Sequence, residues 1–181
     1  MLSHVLLGGK HAGVRLRSHR LTGLACAAPC SAVAQQATSF DAGVLGAANP
    51  FQPNAALVQV GLRVATVRPQ TVGVDFALAT LPVAAAYGVL VLGADLDASW
   101  TVALSDGVRL MPRGGVSSAF GVALDGDGGA GAVVGYNAGI GLLQRTSPTT
   151  AVRLDYTYRR LVIDQERLPL SSLTIGFVWM H

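Results

Sequence analysis

Asp95 and Asp97 stand two positions apart in "GADLDASW". On an extended strand successive side chains alternate between faces, so the two carboxyls project from one face a single pleat apart. Carboxyls that close can share a proton, one pKa rising, and serve as an acid and base pair. The same spacing recurs with the opposite charge: Arg109 and Arg113 share a face, and so do Arg153, Asp155 and Arg159. Arginines that meet these carboxylates favour paired, ionised aspartates over a shared proton.

Other chemistries find weaker footing. Ser117, Ser118, Ser171 and Ser172 are potential nucleophiles, but a serine needs a base, and beyond residue 34 the one histidine is His181. "GGKH" at Gly8 to His11 lacks the spacing and the hydroxyl of a phosphate loop. "DGDGG" from Asp125 offers two aspartates to a cation without the further ligands of a calcium loop, and is expected to be a solvated loop tip. No metal site, cofactor or catalytic residue is expected.

The net charge of +3 lies entirely at the front. Lys10, Arg15, Arg17 and Arg20 precede Ala34 with no acid among them, whereas nine arginines face nine aspartates and one glutamate from Gln35 onward. A near-neutral body without lysine does not offer the basic surface that nucleic acid needs. Basic "RLRSHR", apolar "LTGLACAAPC" and small "SAVAQ" together resemble a secretory leader over residues 1–34, with translation starting near Val14 and cleavage before Gln35. Cys26 and Cys30 both fall inside it, so the mature chain would hold no disulfide. Gly23 stands where an acylated Cys26 would need a leucine, which argues against a lipoprotein.

Residues 35–181 divide into eight alternating segments between Gly, Pro, Asp and Ser clusters. They run about Phe40 to Ala48, Leu57 to Val67, Thr71 to Leu81, Val89 to Ala103, Val108 to Gly121, Ala132 to Arg145, Thr150 to Asp164 and Ser171 to Met180. The Gly-rich fifth and sixth are candidates for bulges. The links "RPQ", "LSDG" and "TSPT" are short, whereas "NPFQPNAA", "PVAAAYG", "VALDGDGGAG" and "QERLPL" are longer. Short and long links in alternation are the habit of an up-and-down membrane barrel.

The faces decide which side is wet. One carries Val58, Leu62, Val74, Phe76, Leu96, Trp100, Tyr136, Ile140, Tyr156, Tyr158, Phe177 and Trp179. The other carries Arg63, Asp75, Asp95, Asp97, Arg109, Arg113, Arg145, Arg153, Asp155 and Arg159, interleaved with glycines rather than lysine and glutamate. Small residues suit the narrow interior of an eight-stranded barrel, where the charges can form an ion-paired network. Turned outward, an arginine at the lipid midplane would cost roughly 2 to 4 kcal/mol. The aromatics Trp100, Trp179 and Tyr136 fall toward strand ends, as interfacial belts require, and Arg160, on the apolar face, is expected at the outer rim.

The final segment "SSLTIGFVWMH", with "VRLDYTYRR" before it, resembles the closing strands of small outer-membrane β-barrel proteins of the OmpA/OmpX type. The resemblance implies an all-β, eight-stranded, antiparallel transmembrane barrel with a polar, side-chain-filled lumen in the cell outer membrane, in contact with its lipid and lipopolysaccharide. It also implies a last strand read by the barrel-assembly machinery, for which Phe177 and Trp179 keep the pattern and His181 departs from it. The expected role is structural or surface-interacting, without a wide pore and without enzymatic activity. The alternatives are a soluble secreted barrel with every face inverted around an apolar ligand, and a lipid-modifying outer-membrane enzyme.

Overall fold

The computed structural model describes residues 35–47, 56–124, 129–163 and 166–181. The leader, both cysteines and residues 125–128 of the aspartate-glycine loop lie outside them. The strands are β1 (Gln35–Ala47), β2 (Leu57–Val67), β3 (Val72–Thr80), β4 (Val89–Trp100, resuming at Val102–Ala103), β5 (Val108–Ala123), β6 (Ala130–Arg145), β7 (Thr150–Ile163) and β8 (Glu166–Met180). Each pairs antiparallel with the next, and β8 pairs with β1, closing an eight-stranded barrel. A closed ladder satisfies every strand edge, which is how strands can lie among lipid tails.

The register runs without a slip along every described seam, so the bulges expected of β5 and β6 are not formed. From Ala37 the pairing passes through Ala65, Asp75, Asp97, Gly115, Asn137, Arg159 and Leu170 and returns to β1 at Ala47, ten residues further along. That stagger tilts the strands roughly 35 to 45° from the barrel axis. The single interruption in β4 has a covalent cause. Pro112 stands opposite it and has no N–H to give, so the ladder is broken between the Ser99–Arg113 and Val102–Leu110 pairs and resumes unchanged.

Two strands start earlier than their alternation suggests. β1 begins at Gln35 and β8 at Glu166; Thr38, Arg167 and Pro169 occupy outward positions there, so the apolar marker is missing although the pairing continues. Ile163 pairs with Glu166, so the ladder between β7 and β8 runs through most of the expected seventh link "QERLPL". At the third link, Pro82 opens a single helical turn, α1 (Pro82–Ala85), which leaves through Gly88 at φ 73°. No described helix is long and apolar enough to cross a membrane.

The faces separate cleanly. Leu62, Val74, Phe76, Leu96, Trp100, Ile140, Phe177 and Trp179 are exposed on the outside, while Arg63, Asp75, Asp97, Arg113, Arg153 and Asp155 are buried. The inverted, soluble arrangement is thereby overturned: Phe76, Trp100 and Ile140, which it would enclose, are 41, 54 and 44 % exposed.

Candidate functional site: the ion-paired lumen

Inward positions of six strands build a continuous line of alternating acids and bases across the lumen. Asp41 on β1 accepts from Arg63 Nε on β2 at 3.3 Å, and Arg63 Nη1 donates to Asp75 Oδ1 on β3 at 2.8 Å. The other oxygen of Asp75 takes Arg153 Nη2, from β7, at 2.9 Å. Arg153 Nε lies 2.7 Å from Asp155 Oδ2. Asp155 also accepts from Arg113 Nη1 of β5, whose Nη2 donates to Thr157 Oγ1 at 2.5 Å and whose Nε lies 3.4 Å from Asp97 on β4. Each guanidinium is shared between carboxylates from different strands, a use that its planar fork of donors allows and a lysine would not.

Nearer the long links stands a second pair. Arg159 reaches Asp95 through Nε at 3.1 Å and Nη2 at 2.6 Å, and its Nη1 donates to Ser172 Oγ at 2.8 Å. Ser117 Oγ donates to Asp95 at 2.6 Å and accepts from Asn137 Nδ2 at 2.9 Å. Asp95 and Asp97 therefore each face an arginine of their own. Ser117 and Ser172, considered above as nucleophiles, are committed to this network.

Glycine makes the room. A Cβ at Gly141 would lie 2.5 Å from Asp155 Oδ1, one at Gly115 would lie 2.6 Å from Asp97 Oδ1, and one at Gly176 would collide with Asp41 Oδ1. The carboxylates thus fold over glycines on the neighbouring strand. Such a lumen has no space for a wide aqueous path.

Two of the expected network arginines lie apart from it. Arg109 and Arg145 point inward by parity but sit at the short-turn end. Arg145 Nη2 donates to the Pro148 carbonyl at 3.0 Å, and Arg109 Nη1 is buried without a partner among the described residues. Alternation assigns a face and not a height, and these two are too low to reach the carboxylates. Asp41 was missed because its strand alternates poorly; its position two places from both Ser39 and Gly43 was the available signal.

Below the ion pairs the lumen becomes apolar. Ala37, Ala65, Val67, Met111, Leu143, Ala151, Val178 and Met180 form a buried cluster at the short-turn end. Outside, Phe177 and Trp179 pack edge to face with ring centroids 4.8 Å apart. Tyr136 and Tyr156 are exposed on the same outer face, and Tyr158 is half-buried there. Arg160 also faces outward, its Nη1 3.5 Å from the Tyr136 hydroxyl toward the long-link end. No group of three or more histidine, cysteine or acidic side chains poised for a metal occurs among the described residues.

No protein-family model and no curated protein matches the sequence. Solved structures do match in fold. The N-terminal β-barrel domain of Pseudomonas aeruginosa OprF aligns at 13 % identity and a TM-score of 0.55, over 78 % of this chain and 96 % of that one. Neisserial surface protein A aligns at 9 % identity and 0.56, over 80 and 95 %. Ail, the attachment invasion locus protein of Yersinia pestis, aligns at 12 % and 0.53, over 82 and 99 %. Identities this low speak for architecture alone. With its apolar exterior and ion-paired interior, the chain has the fold of the small eight-stranded outer-membrane β-barrels.

Proposed function

We propose that the protein is an integral barrel of the bacterial outer membrane with a structural or surface-interaction role, closed to bulk solutes and without enzymatic activity. The observation that carries this reading is the inversion of the faces: a band of exposed Leu, Val, Phe and Trp surrounds a lumen filled by arginine and aspartate. Such a surface is at ease only in hydrocarbon. Outer-membrane lipid and lipopolysaccharide are then its lateral partners. The barrel-assembly machinery would read the β8 strand through Phe177 and Trp179, and no nucleic acid is engaged.

Closure is supported at two heights, by the ion pairs and by the Met111, Leu143 and Val178 layer below them. The absence of catalysis is supported by the commitment of Ser117 and Ser172 to structural hydrogen bonds and by the place of His181, whose backbone N–H bonds Gln36 at the barrel's short-turn end.

The test is the electrophoretic mobility of the membrane fraction, unheated against boiled, after a carbonate wash. A carbonate-resistant band whose mobility changes on boiling is expected. A protein released by carbonate, migrating alike in both lanes, would overturn the reading.

A further inference from the structure

Above the Asp95–Arg159 pair the lumen turns apolar again. Inward side chains nearest the long links, among them Leu45, Ala79, Val91, Val133, Leu161 and Leu168, line a partly open cavity of about 250 Å³. Its floor is polar and is formed by Gln59, Asp95 and Arg159. The two charged residues already engage each other and, through Ser117 and Ser172, the strands beside them. They have no net charge left for a ligand. Gln59 differs: it is uncharged, only 6 % exposed, and places a side-chain amide in the lining of the cavity beside the ion pair. A buried amide carries both donors and an acceptor, and native structures pair such groups as a rule.

We propose that this mouth cavity is a binding site for a small uncharged amphiphile, its hydrocarbon against Leu45, Val133 and Leu168 and one hydroxyl or carbonyl on the Gln59 amide. Apolar cavities stay dry and take up apolar guests; one of about 150 Å³ holds benzene, so this one admits about ten heavy atoms. A fatty-acid anion is the wrong ligand, because its charge would approach the Asp95 carboxylate while Arg159 is already engaged. The site rests on the membrane-barrel reading above and adds to it a class of ligand.

The experiment uses the full chain folded in lipid nanodiscs and irradiated with hexanol carrying a terminal diazirine, with adducts mapped by peptide mass spectrometry. Labelling is expected on Leu45, Val133 and Leu168, competed by plain hexanol and not by hexanoate. Ala119→Trp, which fills the cavity from a lining position, should reduce it about tenfold, and Gln59→Leu, which keeps the volume, about fivefold. Both variants are first checked for the heat-dependent mobility of a folded barrel. Adducts confined to outward residues such as Leu62 and Leu96, or indifferent to both substitutions, overturn the site and leave the barrel standing. Loss of the mobility shift in the unmodified protein overturns the membrane reading as well.

Discussion

Arg153 Nη2 meets Asp75 Oδ2 at 2.9 Å, across the lumen and across 78 positions of sequence. Both side chains are almost wholly removed from solvent, at 2 and 0 % exposure. Each is also tied to a second partner, Arg153 to Asp155 and Asp75 to Arg63. The pair therefore closes β3 onto β7, strands that share no ladder, and gives the barrel a cross-brace that backbone hydrogen bonds do not provide.

Removing one member should cost more than removing both. Asp75→Ala leaves two guanidiniums facing each other without a carboxylate between them, and breaking a buried pair from one side costs about 3 to 5 kcal/mol. Asp75→Leu combined with Arg153→Met removes the charges together and should cost less than the single substitution. Urea titration of the refolded barrel, followed by Trp100 and Trp179 fluorescence, measures both; a milder single than double variant would refute the brace.

The glycines beneath the carboxylates give a second prediction. A methyl group at Gly176 collides with Asp41, and at Gly141 with Asp155, whereas at Gly121 and Gly131 it meets nothing within 4 Å. Gly176→Ala and Gly141→Ala should each lose about 1 to 3 kcal/mol through crowding, while Gly121→Ala and Gly131→Ala fold unchanged. The fraction of protein keeping its unheated mobility across a temperature series separates the two groups.

These cases show what alternation reveals and what it hides. In β7, Val152, Leu154, Tyr156 and Tyr158 against Arg153, Asp155 and Thr157 spell out both faces, and the strand keeps that register throughout. Height along the lumen is not written in a period of two. It follows from the stagger between strands, which adds up to ten residues around the barrel and emerges only when every seam is aligned, so Arg109 and Arg145 looked equivalent to Arg113 and Arg153. The apolar lumen ends were hidden for a related reason. Near Met111, between Leu110 and Pro112, both faces of the strand are apolar and the contrast fades; near Leu161 and Leu168 inward leucines stand beside outward Arg160 and Arg167, and the contrast is reversed. Asp41 was lost in the segment where glycine and alanine weaken the pattern.

The layered lumen predicts electrical silence. The folded protein in a planar bilayer should show no stepwise conductance. Arg159→Ala should leave it closed, because the Arg63–Asp75–Arg153 pairs and the Met111, Leu143 and Val178 layer lie beyond it. Narrow eight-stranded barrels fill their interior with side chains, and wide channels need about 16 to 18 strands. Stable openings in the unmodified protein, or in the Arg159 variant alone, would show that these layers do not seal.

Depth along the outer face supplies the sharpest test of the membrane reading. Leu96 sits in the middle of β4 between Phe76 on β3 and Val116 on β5, and all three are exposed. Val72 is more exposed, at 75 %, but opens β3 beside the short turn. In hydrocarbon the two sites differ sharply: Leu96→Arg should destabilise the barrel by about 2 to 4 kcal/mol, and Val72→Arg by about 0 to 1 kcal/mol. In water both substitutions would fall on a solvated surface, and neither should cost more than about 0.5 kcal/mol. Urea unfolding of the two variants in phospholipid vesicles gives the comparison. A large penalty at Leu96 with little at Val72 is the signature of a bilayer centred on the strand, because burial inside a soluble fold would follow exposure and not distance from the strand end.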